Sequence, residues 1–157
     1  MNEKERLIET CASSELIFDG RVVHLYVDEI NLPNGARGIR EYIKHLGAVA
    51  VLPLTERGEG IFVRQYRYAV GEILTEIPAG KLDYAGEDRV TAALRELREE
   101  TGARCEKLTH LGLYLGSPAL MDEKIDLYLA EGLTFGERDL DDDEFLDVVR
   151  IPLSDMV

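Results

Sequence analysis

The 157-residue chain carries 18 basic and 31 acidic side chains, a formal net charge of -13. That length fits one domain with one core, and the acidic balance excludes a duplex nucleic-acid binder, which needs a basic footprint to displace counterions. No apolar run approaches the ~20 residues that span a bilayer, and the charged start MNEKERLIETCASSE lacks the apolar core of a secretory signal, so a cytoplasmic protein with no membrane partner is expected.

Over residues 23–30 the chain begins by alternating, with Val23, Leu25 and Val27 on one side and His24, Tyr26 and Asp28 on the other. That pattern predicts a half-buried strand. Pro33-Asn34-Gly35 predicts a hairpin turn, because Asn and Gly both tolerate positive φ, with a return strand over 39–44. Residues 1–45 therefore read as a small N-terminal antiparallel sheet, and 46–157 as the main body. The run GAVAVLPL at 47–54 predicts a strand buried on both faces. A turn over 56–60 leads to a strand over 61–66, and shorter strands are expected at 73–77, 108–115, 125–130 and 148–151. One helix stands out at 88–101, with Asp88 able to cap its start and Gly102 placed for a left-handed end. Strands arranged around one helix predict an α+β fold, a mixed α/β sandwich. A further helix is expected to begin over 153–157. Cys11 and Cys105 stand far apart and predict two reduced thiols, while His24, His45 and His110 are scattered singly and read as structural.

The helix carries the chemistry. Val90, Ala93, Leu94 and Leu97 fall at i, i+3, i+4 and i+7 and predict its apolar stripe. Glu96 and Glu100, four residues apart, stack one turn above the other at the edge of that stripe. Like charges so placed repel by a few tenths of a kcal/mol, and a divalent cation between them reverses the sign. Hard carboxylate oxygens fit magnesium, which keeps coordination positions for phosphate oxygens.

The pair sits in a longer pattern: Gly80, six residues, Glu87, seven residues, then Arg95-Glu96-Leu97-Arg98-Glu99-Glu100-Thr101-Gly102-Ala103. This resembles the box of the Nudix hydrolase family, G-x5-E-x7-R-E-U-x-E-E-x-G-U, where U is a bulky apolar residue. Every specified position from Glu87 to Gly102 is matched. The chain departs in one extra residue between Gly80 and Glu87 and in the small Ala103 at the last U. EIPAGKLD, VRQYR, SPALMDE, FDGRVVHLYVDEINLPNG and DLDDDEFLDVVRIPL resemble the ADP-ribose pyrophosphatase branch, so the likeness spans nearly the whole chain.

The resemblance implies a Nudix-like fold and magnesium-dependent hydrolysis of the diphosphate linkage of ADP-ribose to AMP and ribose 5-phosphate, with manganese as an alternative ion. It implies a homodimer in which the N-terminal strands exchange between subunits. It makes Glu96 and Glu100 the main metal ligands, joined by the Ala79 carbonyl, Glu99 and Glu87. Arg95 would hold the glutamate cluster by ion pairing. Arg67 would contact the diphosphate, Arg40 would assist, and Tyr26 would stack on adenine. Glu123 would be the general base, with Asp122 its neighbour and competitor and Glu99 the alternative within the box; the glycine usual after Pro118 is Ala119 here. The acidic run 139–144 reads as a solvated loop. Rival readings are a Nudix enzyme for another nucleotide sugar or dinucleotide, and a non-catalytic ADP-ribose sensor.

Overall fold

The computed structural model describes residues 6–155. Its elements run β1 (Thr10–Asp19), β2 (His24–Asn31), β3 (Arg37–Lys44), β4 (Ala48–Pro53), β5 (Glu59–Arg67), β6 (Glu72–Glu76), β7 (Ala79–Lys81), α1 (Arg89–Thr101), β8 (Ala103–Tyr114), β9 (Ile125–Phe135) and β10 (Leu146–Pro152). The chain divides into two compact units. One comprises the residues up to His45 together with Leu115–Glu123, and the other comprises Leu46–Tyr114 and the residues from Lys124 onward.

The first unit is built on the antiparallel sheet β1-β2-β3. Its first strand was not among those expected. Cys-Ala-Ser-Ser-Glu shows no alternation, and β1 is made by backbone pairing with β2, from Thr10 opposite Asn31 to Asp19 opposite His24. The β2–β3 turn falls at the expected place, but only Gly35 takes positive φ (85°). Asn34 keeps negative φ and instead accepts the Ala36 N–H with its side chain at 3.0 Å, a local bond of the kind that makes Asn a turn residue. Segment 115–123 joins this unit through β3, where Ile43 N–H donates to Leu120 O at 2.9 Å and Asp122 N–H to Ile43 O at 3.2 Å. Among the unit's described residues only Ile30 is buried.

The second unit contains two sheets, β10-β5-β6 and β7-β4-β9-β8. β4 runs parallel to β9 and antiparallel to β7, so the mixed character expected from the element order is present. Ala48, Val49, Ala50 and Val51 are buried, as a strand covered on both faces requires. The core joins Val49 and Val51 to Leu82, Ala92, Ala93, Leu97, Ala103, Tyr128 and Ala130. Leu97, the one large aliphatic residue that α1 buries completely, is the side chain whose truncation to alanine would cost most on this helix, ~2–5 kcal/mol. Strands β8 and β9 are longer than their apolar centres, pairing from Ala103 opposite Phe135 to Tyr114 opposite Ile125, because a ladder continues wherever two backbones stay in register. At the far end, Leu153–Asp155 form a single 3-10 turn, and the last two residues of the expected helix lie outside the described residues.

Helix α1 has the expected ends. Asp88 accepts the Thr91 N–H at 2.8 Å, and Gly102 takes φ 69° while its N–H donates to Arg98 O at 2.8 Å. Its rotation corrects the predicted stripe. Val90 and Leu94 remain 46% and 41% exposed, whereas Ala92, Ala93, Glu96, Leu97, Glu100 and Thr101 are buried. The two glutamates lie on the inward face of the helix, and two aliphatic side chains are given up to solvent to put them there.

Candidate active site

The short strand β7 explains how the carboxylates are received. A Cβ on Gly80 would stand 2.0 Å from the Glu96 carboxyl, so glycine is required because the carboxylate packs onto its Cα. One residue earlier, the Ala79 N–H donates to Glu100 Oε2 at 3.0 Å. Strand and helix thus hold two carboxylates one turn apart, Glu96 8% and Glu100 3% exposed.

Burial, the largest influence, pushes the Glu96 carboxyl up to about 7 against the attraction of Arg95, and Glu99 and Glu144 push it further. Glu100 is pushed up to about 8, first by burial and then by Glu96, with Glu144 adding to the rise; the Ala79 N–H and Arg67 oppose it. At ~1.4 kcal/mol for each tenfold change in ionisation, ionised Glu100 is disfavoured by an amount on the order of 5 kcal/mol. The few tenths that an exposed pair would cost is minor beside that. Two buried carboxylates with too little positive charge beside them carry hard oxygens and a charge imbalance that a cation would relieve.

Arg95 supplies part of that charge. Its Nη1 lies 2.8 Å from Glu96 Oε1 and 3.2 Å from Glu99 Oε2, and its Nε is 3.4 Å from both Asp83 and Glu87. Burial alone would lower its pKa, but Glu96, Asp83 and Glu99 outweigh that and raise it. Arg95 thus lies among the carboxylates of Asp83, Glu87, Glu96 and Glu99. Glu87 accepts the Asp83 N–H at 2.8 Å, so its carboxylate closes the loop between β7 and α1 and partners Arg95. Among the described residues no three His, Cys, Asp or Glu side chains form a ready-made metal-holding group. The structure brings Glu96, Glu100 and β7 together, and ties Glu96, Glu99 and Glu87 to Arg95.

The remaining expected residues are distributed as follows. Arg67, at the end of β5, donates to Glu76 at 2.9 Å, and its charge reaches Glu100. Arg40 is paired with Glu9 through both Nε, at 2.9 Å, and Nη2. Tyr26 stacks on Tyr42, its partner across β2 and β3, with ring centroids 5.7 Å apart, and Lys44 Nζ lies 5.4 Å from the Tyr26 ring. Glu123 belongs to the first unit and lies 3.5 Å from His45 Nδ1. Asp122 is engaged elsewhere, its Oδ1 accepting the His45 N–H at 2.7 Å.

One residue was missed. The five carboxylates of the run 139–144 are exposed, as expected of a solvated loop, yet Glu144 raises the pKa of both Glu96 and Glu100. Five carboxylates in six residues look alike in sequence, and no spacing rule marks the last one.

A β-sandwich with a single glutamate-bearing helix, whose buried carboxylates meet a glycine of a three-residue strand, is the spatial form of the box read in the sequence. The NUDIX domain model matches residues 44–156. Over 95% of its length the chain is 46% identical to the ADP-ribose pyrophosphatase of Bacillus subtilis (strain 168), covering 81% of that protein. It is also 46% identical to the methanol dehydrogenase activator of Bacillus methanolicus, over 94% of this chain and 80% of that one. A crystal structure of an ADP compounds hydrolase superposes with a TM-score of 0.81 at 26% identity, covering 94% of this chain and 80% of the other. The chain belongs to the Nudix hydrolase family.

Proposed function

We propose that this protein hydrolyses the diphosphate linkage of ADP-ribose to AMP and ribose 5-phosphate, using magnesium, with manganese able to replace it. The buried Glu96–Glu100 pair supports the chemistry, and the 46% identity to an ADP-ribose pyrophosphatase supports the substrate. The donor set fits the ion: hard oxygens, a deficit of positive charge, and few enough protein ligands to leave room for phosphate. Glu96, Glu100 and the Ala79 carbonyl would hold it, Glu96 through the oxygen that Arg95 leaves open, with Glu99 and Glu87 recruited only if they leave Arg95. When bound, magnesium supplies charge neutralisation of the diphosphate and activation of water.

The chain's own groups do the rest. Arg67 offers its guanidinium to a diphosphate oxygen, exchanging Glu76 for the substrate. Arg95 keeps Glu96 and Glu99 in place. A carboxylate accepts the proton of the attacking water as the new P–O bond forms and the bridging P–O bond breaks. Glu144 is the base this reading favours, because it shares a unit and an electrostatic field with Glu96 and Glu100. Glu123 is its rival. General base catalysis contributes roughly 100- to 10,000-fold, so whichever of Glu144→Gln and Glu123→Gln loses that much turnover, with unchanged magnesium affinity in calorimetric titration, carries the role.

A homodimer through the N-terminal strands is part of the proposal, with Arg40 and Tyr26 of that unit contributing to substrate binding. Support comes from the side chains Leu16, Ile17, Phe18, Val22, Val23 and Ile39, all at least 40% exposed. No described helix is long and apolar enough to cross a membrane. The two free thiols, Cys11 and Cys105, favour action in the reducing cytoplasm. The similarity to an ADP compounds hydrolase favours one alternative, a wider range of ADP-containing substrates. Turnover on a panel of ADP-ribose, other nucleotide sugars and dinucleotides tests both: preference for ADP-ribose by tenfold or more supports the proposal, a different best substrate replaces it, and no turnover of any leaves a sensor.

A further inference from the structure

Arg95 presents its guanidinium to two sides at once. Nη1 is turned to α1 and donates to Glu96 Oε1 at 2.8 Å and to Glu99 Oε2 at 3.2 Å. The other two nitrogens are turned to the loop between β7 and α1. Nη2 donates to Lys81 O at 3.4 Å and to both Glu87 oxygens at 3.5 Å, and Nε stands 3.4 Å from Asp83 Oδ2 and from Glu87 Oε1. Nε is buried and makes no hydrogen bond among the described residues, so these two carboxylates are what it faces. A guanidinium prefers to take one carboxylate with two parallel N–H groups. Here the loop occupies two nitrogens of the fork, and Glu96 and Glu99 share the third.

The loop is anchored at both ends. Leu82 is buried in the core and its N–H donates to Gly47 O at 3.0 Å, while the buried Glu87 accepts the Asp83 N–H at 2.8 Å. Between these anchors the chain turns, with the Glu87 N–H donating to Tyr84 O at 3.2 Å and Gly86 at φ 88°. The loop, one residue longer than the box, thus sets Asp83 and Glu87 side by side on Arg95. We infer that Asp83 is a positioning residue for the cation site: it holds the Nε edge of Arg95 against the loop, so that Arg95 steadies Glu96 through one oxygen and leaves the other for the metal. This rests on the reading of Glu96 and Glu100 as metal ligands. Among the described residues the exposed Asp83 carboxylate has no partner other than Arg95, whereas that of Glu87 also closes the loop. Without Asp83 the fork is freer to turn towards α1 and take Glu96 by both oxygens, and a cation must then displace the arginine.

Calorimetric titration of the full chain with magnesium chloride, without substrate, tests this alongside turnover of ADP-ribose. Asp83→Asn keeps the size of the side chain and removes its charge. Its magnesium Kd should rise about five- to tenfold, and the magnesium needed for half-maximal turnover should rise in step, so that excess magnesium makes good the loss. Asp83→Glu, which restores the charge, should recover most of the affinity. In an Arg95→Lys background, where there is no fork to hold, Asp83→Asn should add less than a twofold loss. An unchanged Kd in Asp83→Asn, while Glu100→Gln is impaired, overturns the role of Asp83 alone. An Asp83→Asn loss of the same size in both backgrounds also overturns it, since the carboxylate then acts on the cation by its charge and not through Arg95. A wild-type Kd in Glu100→Gln removes the metal-ligand reading on which the role rests.

Discussion

The two units of this chain treat apolar side chains in opposite ways. The unit containing α1 buries Val49, Val51, Ile61, Val63, Leu82 and Leu97 almost completely, and places its two ionisable site residues inside that packing. The N-terminal unit buries only Ile30 among its described residues, while Leu16, Ile17 and Phe18 of β1 are exposed in a row. Three strands are stable alone in water only when they have a hydrophobic face to pack. The contrast teaches that one unit is folded around its chemistry, whereas the other carries apolar surface that a single copy does not cover.

The sharpest way to probe the first half of that contrast is to keep its shape and remove its charge. Glu100→Gln retains an oxygen that can accept the Ala79 N–H, so the fold should survive, yet a charged ligand for a hard cation is gone. Turnover should fall by a thousandfold or more at saturating magnesium, and Glu96→Gln should behave alike. Wild-type rates in either variant, with an unchanged circular dichroism spectrum, would separate the buried pair from the reaction.

Much of this site could be read in advance because its signals are local. The ends of α1 follow from Asp88 and Gly102, and the i, i+4 relation of Glu96 and Glu100 follows from helix geometry alone. The strip that α1 buries could not be read this way. Counting aliphatic residues places Val90 and Leu94 inward, whereas the fit of Glu96 onto Gly80 turns the helix away from them, and that fit depends on β7. Strand β1 escaped for a related reason: its sequence has no period, and its partner β2 lies beyond a turn. Glu144 bears on Glu96 and Glu100 only once the chain is folded, which no window along the chain can show.

The second half of the contrast is tested by oligomeric state. If the uncovered strands are an interface with a second copy, light scattering at micromolar concentration should give twice the 17.6 kDa chain mass. Replacing Ile17 and Phe18 together by lysine should weaken the dimer at least tenfold, since each buried aliphatic or aromatic side chain contributes ~1.5–3 kcal/mol. The α1 unit should keep its own near-ultraviolet signal, because none of its core residues is altered. A wild-type monomer at that concentration would show that the exposed strands serve something other than self-association.

The smallest effect concerns stability and pH in the absence of metal, and it returns to the cost of burying Glu96 and Glu100. Their folded-state pKa values of about 7 and about 8 lie above the ordinary 4.5, with burial the main cause. For a carboxyl raised in this way, the native state binds the proton more tightly than the unfolded state does. Its stabilising contribution is complete below about pH 4.5 and is lost as pH rises through 7 to 8. Other acidic groups titrate as well, so the comparison must be between variants. In chelator, Glu100→Gln should melt a few degrees above the wild type at pH 8, where the native carboxyl is penalised for ionising. The gap should close towards pH 5, where the wild-type carboxyl is protonated in the folded protein and resembles the amide in charge. Added magnesium should reverse the order at pH 8, because only the wild type gains the full ligand set and binding stabilises the state that binds. A gap independent of pH would mean that Glu100 is solvated well enough to ionise without cost, and that its inward placement has another cause.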